Sequence, residues 1–275
     1  MNIVEETVAA ASKQMETLAK AAPITPPSAL LMGTDIFRAG LEFMANPMFA
    51  AAYAASPRGD GHPVLVLPGY ATSDASTLLL RRYLKNLGYD VRAWKLGRNM
   101  GHSTIGPERQ RLHDRIAKIA DDTGRSVTLV GWSLGGVMAR LIAGTTDQPI
   151  RQIVTIGSPF TGSPYATNLW RMYERTSGKS FDHPEMVKEL ADSAAVPLVP
   201  STAIYSKLDG ITAWENCLDP EGENTESVQI VGSHMGLCVN PSVLLLLAER
   251  LAQAEGEWSH FDRSKMMYPW LYPAG

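Results

Sequence analysis

The sequence predicts an α/β fold, a mostly parallel sheet covered by helices on both faces. Three observations carry that prediction. From residue 62 onward, six short apolar runs alternate with amphipathic helical stretches. The runs are almost continuously apolar, as strands buried on both faces must be. Gly131-Trp132-Ser133-Leu134-Gly135 stands between one run and a helix-like stretch, so a sharp strand-to-helix turn is built into the middle of the chain.

Taken in order, residues 1–60 read as an N-terminal helical arm and 61–275 as the main domain. Val4, Val8, Ala11, Met15 and Leu18 recur at steps of four and three, which makes one apolar helix face. Pro23, Pro26 and Pro27 end that helix, and Ser28 is placed to cap a second one carrying Leu30, Leu31, Ile36, Phe37, Leu41 and Met44 as far as Pro47. The arm is expected to pack on the domain; a homodimer contact or a hydrophobic-surface anchor is the alternative. Strands are expected at 64–67, 89–94, 127–130, 150–156, 202–205 and 228–231, and helices at about 74–87, 107–122, 135–144 and 241–254. Between about 160 and 198 the alternation breaks. There Tyr165, Leu169, Trp170, Met172, Tyr173, Phe181 and Met186 suggest a helical cap inserted over the strand ends, with an ordinary crossover helix as the alternative. The aromatic tail, Trp258 to Tyr272, is expected to pack along the surface.

Composition narrows the function classes. With 275 residues, 45% hydrophobic and 19% charged, the chain suits one large domain with at most an inserted subdomain. The net charge is −3 and no basic block occurs, so a nucleic-acid partner is not expected. No apolar run approaches the roughly 18 residues needed to span a bilayer. The N-terminus carries Glu5 and Glu6 and lacks a basic start followed by an apolar core, so a cytoplasmic protein is expected, with secretion left open. No Cys/His cluster has metal-ligand spacing. The two cysteines, Cys217 and Cys238, read either as reduced buried thiols or as a disulfide, since each lies shortly after a candidate catalytic residue.

Gly-x-Ser-x-Gly at a strand-to-helix turn is the mark of a nucleophile elbow, which makes Ser133 the candidate nucleophile. A serine hydroxyl needs an adjacent base, and the base an orienting carboxylate. Asp209 follows the run Ala203-Ile204-Tyr205-Ser206 and is the candidate acid. Asp219, before Pro220, is its rival, though a solvated turn residue is the better reading there. His234 follows the last run and is the candidate base. His102 follows an earlier run and is a candidate pocket residue, but it precedes the nucleophile. The oxyanion hole needs two backbone N–H groups, expected from Leu134 and from Tyr70 in Leu67-Pro68-Gly69-Tyr70-Ala71.

These residues together resemble the α/β-hydrolase family, and within it the bacterial lipases and carboxylesterases. Residues 131–135 match the elbow. Pro68-Gly69-Tyr70 looks like the oxyanion loop, with Pro68 where the family usually has His. The segment from Ile156 to Ser163 resembles the stretch after the strand that follows the elbow helix. Asp209-Gly210-Ile211-Thr212 and His234-Met235-Gly236-Leu237 resemble the acid and base loops. The resemblance covers roughly 62–254. It implies hydrolysis of carboxylic esters through an acyl-enzyme, needing neither metal nor organic cofactor, with apolar acyl esters as the substrates suggested by the apolar cap. An acyltransferase or thioesterase with the same triad is the alternative, and a non-catalytic binding protein on the same scaffold a more distant one. Some lipases of this kind tie the acid and base loops by a disulfide, and Cys217 and Cys238 are placed to do the same.

Overall fold

The computed structural model describes residues 24–144, 149–220 and 222–274. The helix expected on Val4 to Leu18 lies outside the described residues. Helix α1 (Ala29–Ala45) opens the described chain. Ser28 caps it from an extended conformation, its hydroxyl accepting the Leu31 amide at 3.3 Å. The helix docks the opposite way from what its apolar stripe suggests. Asp35, Arg38 and Glu42 turn inward, while Leu30, Ile36, Phe37 and Met44 are 76, 77, 70 and 73% exposed. Polar bonding to distant loops decides the orientation, as described below. A 3₁₀ turn (Asn46–Phe49) and α2 (Ala50–Ala55) lead to the sheet.

The remaining elements alternate as expected: β1 (Pro63–Leu67), α3 (Leu78–Asn86), β2 (Asp90–Ala93), α4 (His102–Ile105), α5 (Gln110–Thr123), β3 (Val127–Trp132), α6 (Leu134–Ala143), β4 (Ile150–Ile156), α7 (Trp170–Ser177), α8 (Pro184–Ala194), β5 (Ser201–Ser206), β6 (Thr225–Ile230) and α9 (Pro241–Leu251). The six strands form one parallel sheet in the order β2-β1-β3-β4-β5-β6. Alternate side chains feed two cores, which is why the runs had to be apolar throughout. Val64 and Val66 join Val243, Leu246 and Leu247 of α9 on one face. Leu65 and Leu67 join Ile116 and Ile119 of α5 and Met138 and Ile142 of α6 on the other.

Two helix boundaries differ from expectation. The stretch 74–77 forms a turn ahead of α3, because Asp74 accepts the amides of Trp94 and Lys95 at 2.8 and 3.0 Å and so fixes the exit of β2. The helix expected from 107 breaks at Glu108 and Arg109, both at positive φ, and α5 starts after them. The tail does pack: Tyr272 is buried and donates its hydroxyl to the Ser242 carbonyl at 3.0 Å.

The strand order reverses between β1 and β3. Loops leaving their carboxyl ends diverge there, and in open parallel sheets that crevice is where ligands bind. Ser133 and the loop Gly69-Tyr70 sit at this point.

Candidate active site

Ser133 begins directly after β3 and precedes α6, at φ 54° and ψ −125°, a strained backbone that thrusts its side chain out of the turn. The glycines around it have no room for a side chain. A Cβ on Gly131 would strike the backbone of Gly136, and one on Gly135 the carbonyl of Leu67. A Cβ on Gly69 would come within 2.9 Å of Trp132 and 3.2 Å of the Ser133 Cβ, so the loop after β1 lies against the nucleophile turn.

The structure brings Ser133, His234 and Asp209 together. His234 Nε2 lies 3.0 Å from Ser133 Oγ, and His234 Nδ1 lies 2.6 Å from Asp209 Oδ2. All three are buried, Ser133 at 9%, His234 at 2% and Asp209 at 3% exposure. The second Asp209 oxygen accepts the amides of Ile211 and Thr212, both at 2.8 Å, which fixes the carboxylate's rotation. The His234 carbonyl accepts Trp132 Nε1–H at 3.2 Å. Burial works against a charged imidazole, but the charge and hydrogen bond of Asp209, with Asp35 behind, outweigh it and hold the His234 pKa above its ordinary value.

The candidate oxyanion donors flank Ser133: Leu134 is the first residue of α6, and Tyr70 shares the cavity wall with Ser133 and Leu134. Asn99 holds the loop that carries Tyr70. Its side chain donates to the Pro68 carbonyl at 2.7 Å and its backbone carbonyl accepts the Ala71 amide at 2.7 Å. The Tyr70 hydroxyl meets that of Thr176 on α7, tying the loop to the cap region.

In front of Ser133 opens a cavity of about 860 Å³. Successive turns of α6 (Leu134, Val137, Leu141) form its floor, and Trp170, Tyr173 and Met186 on α7 and α8 its roof. His102 lines the same cavity and pairs with Glu189 of α8 at 3.2 Å. Asp219 lies elsewhere. It is not a solvated turn residue but is buried against the Arg140 guanidinium, and Ser201 donates to it at 2.6 Å. Among the described residues, no cluster of His, Cys, Asp and Glu is gathered for a metal ion, and no helix is long and apolar enough to cross a membrane.

Of the two readings of the cysteines, reduced buried thiols or a bridge between the acid and base loops, the structure has the first. Cys217 and Cys238 are free and buried. Cys217 Sγ faces the Thr212 hydroxyl at 3.9 Å and the Ala213 carbonyl at 3.8 Å, whereas Cys238 is packed into the apolar core with Leu237 and Val243. Burial pushes both thiols up, so neither is a ready thiolate.

Carboxylates of α1 join the two loops instead, and sequence reading missed them. Asp35 Oδ2 accepts the amides of Gly210 and His234, both at 3.0 Å, and Oδ1 accepts that of Met235 at 2.8 Å. Glu42 accepts the amide and hydroxyl of Ser233 at 2.7 and 2.6 Å and the Asn240 side chain at 2.7 Å. Asp35, Arg38 and Glu42 are the three charged side chains of α1, all at helical spacing on one face, and that was the available signal. Gly157 was also missed as a site residue. At φ +55° it lies beside the pair, where a Cβ would sit 3.3 Å from Asp209 Oδ2 and 3.4 Å from His234 Nδ1.

The fold is that of the α/β hydrolases. A family model described as a PGAP1-like alpha/beta domain matches residues 109–190, which contain the Ser133 turn. Lipase B from Aspergillus fumigatus is similar in structure at 18% identity and a TM-score of 0.57, over 81% of this chain and 61% of that one. This chain therefore spans less than two thirds of that lipase. A monoacylglycerol lipase from Paleococcus ferrophilus is similar at 15% identity and a TM-score of 0.51, over 70% of this chain and 96% of its own. No curated protein matches the chain in sequence.

Proposed function

We propose that this α/β hydrolase is a serine esterase that cleaves carboxylic esters with apolar acyl groups. The observation that carries the reading is the unbroken hydrogen-bonded line from Ser133 through His234 to Asp209, at the mouth of an apolar cavity. Ser133 Oγ attacks the ester carbonyl while His234 Nε2 takes its proton. Asp209 keeps the Nδ1 proton in place and stabilises the imidazolium. The Tyr70 and Leu134 amides receive the developing oxyanion. His234 then protonates the leaving alkoxide, an acyl-Ser133 ester forms, and a water deprotonated by His234 releases the acid. Both structural neighbours named above carry lipase in their descriptions, which agrees with this chemistry. The walls formed by Leu134, Val137, Leu141, Trp170 and Met186 favour an acyl chain over a polar group, because desolvating a polar group against them returns few hydrogen bonds.

Hydrolysis of p-nitrophenyl esters from acetate to palmitate tests this, with Ser133→Ala alongside. Turnover is expected to peak at one chain length and to vanish in the variant. Folded protein that turns over none of these esters refutes the proposal. Product that shifts to a new ester on adding an alcohol acceptor reassigns the same triad to acyl transfer.

A further inference from the structure

The triad has a second carboxylate behind it. Asp35 is 1% exposed, sits on α1, and its carboxylate accepts every backbone bond it makes from the loops that carry Asp209 and His234. Its acceptors take three backbone N–H groups, of Gly210, His234 and Met235, and a fourth bond from Arg38 Nη2 at 3.2 Å. The fit is close: a Cβ on Gly210 would stand 2.8 Å from Asp35 Oδ2. One carboxylate thus fixes the residue after the candidate acid and the backbone of the candidate base. A hydrophobic side chain at this position would leave three N–H groups unpaired, those of Gly210 and His234 fully buried.

We infer that Asp35 is a positioning residue for the triad, holding the acid and base loops in register and lending its negative charge to the imidazolium of His234. This rests on reading Ser133, Asp209 and His234 as the reactive line. The charged groups around the imidazole are few. Asp209 faces its Nδ1 from the loop after β5; Asp35, with Arg38 and Glu42 beside it, faces its backbone from α1; Cys217 and Cys238 are buried nearby on the same two loops. Removing Asp35's charge must disfavour the protonated ring, whereas removing Arg38's must favour it. A staple that is only structural predicts neither shift.

The test follows the His234 ring by NMR across pH in the full chain, assigned against His234→Gln, together with the pH profile of Ser133 labelling by a fluorophosphonate. Asp35→Asn keeps the size and one acceptor oxygen. Its ring titration is expected to fall by roughly one pH unit, and labelling on the plateau to slow about tenfold from the displaced base. Arg38→Met is expected to move the titration upward. Glu42→Gln gives the structural comparison: it weakens the bonds of the same helix to Ser233 and Asn240 without removing the Asp35 acceptor of the His234 amide, and is expected to lower the melting temperature while moving the titration less than Asp35→Asn does. An Asp35→Asn titration that coincides with wild type overturns the inference. If that variant does not fold, an unmoved titration in Arg38→Met overturns it equally. Wild-type Ser133 that never reacts with the phosphonate refutes the serine-hydrolase reading, while the ring titration still decides the role of Asp35.

Discussion

Replacing Asp219 with alanine isolates the energetic weight of a buried ion pair. The Arg140 and Asp219 side chains are 1% and 0% exposed. Taking away one partner strands the other charge, which typically costs about 3–5 kcal/mol. The surroundings of Arg140 set where in that range the loss falls. After the substitution the guanidinium still donates to the carbonyls of Ser193 at 2.7 Å and Ala195 at 2.8 Å and to the Ser201 hydroxyl at 3.4 Å, and it lies 3.9 Å above the Phe160 ring. Those dipoles offset part of the lost charge, so the lower end applies, about 3 kcal/mol. At roughly 2–4 °C per kcal/mol for a domain of this size, the melting temperature should fall by about 6–12 °C. Calorimetry or circular dichroism on Asp219→Ala measures it, with urea midpoints as a second reading. Labelling of Ser133 well below the transition should be nearly unchanged, since Asp219 bonds to none of the triad. A loss below about 1 kcal/mol refutes the argument, and would mean that water or rearranged dipoles solvate Arg140 as well as the carboxylate does.

Asp209→Asn should cut kcat by about 10⁴-fold with little change in fold. The Ile211 and Thr212 amides hold one carboxylate oxygen, so asparagine keeps its carbonyl there and turns its NH₂ on His234 Nδ1. That forces the ring proton onto Nε2, where it can no longer accept from Ser133; steady-state kinetics that fall less than tenfold would contradict this. The raised His234 pKa sets the pH dependence. The base must be neutral, so the acid limb of kcat/KM should have its midpoint above about 6.5, with rate lost as pH falls through it. The stability term has the opposite sense. The bond of protonated His234 to Asp209 contributes fully below the unfolded-state pKa and is lost as pH rises through the folded one. A kcat/KM limb centred at or below about 6 would refute the sign.

The strands were legible because burial on both faces leaves an unbroken apolar run, and the nucleophile turn because glycines at 131 and 135 meet backbone directly behind them. That Asp209 and His234 lie beside Ser133 was legible by order: each follows a strand, and parallel strands deliver their loops to one edge of the sheet. What escaped was whatever depends on pairing across long sequence separation. The apolar side chains of α1 point mostly outward, because two carboxylates, Asp35 and Glu42, accept distant loop amides and turn the opposite face inward. Asp219 looked like a solvated turn residue because nothing local reveals the arginine 79 residues before it. The cysteines were plausible partners by placement alone, and packing sent one to the loop and the other to the core.

Helix α1 is synthesised early and used late. Its Asp35 partners lie 175, 199 and 200 residues further along the chain. Contacts of such separation form slowly compared with neighbouring strand pairs, which close over shorter spans. On that ground the seating of this helix is expected last, after the sheet that begins at Pro63. A refolding molecule is then expected to complete its core before its base loop is set. Ellipticity should return ahead of titratable nucleophile, and the interval between the two is the time one helix takes to find its place.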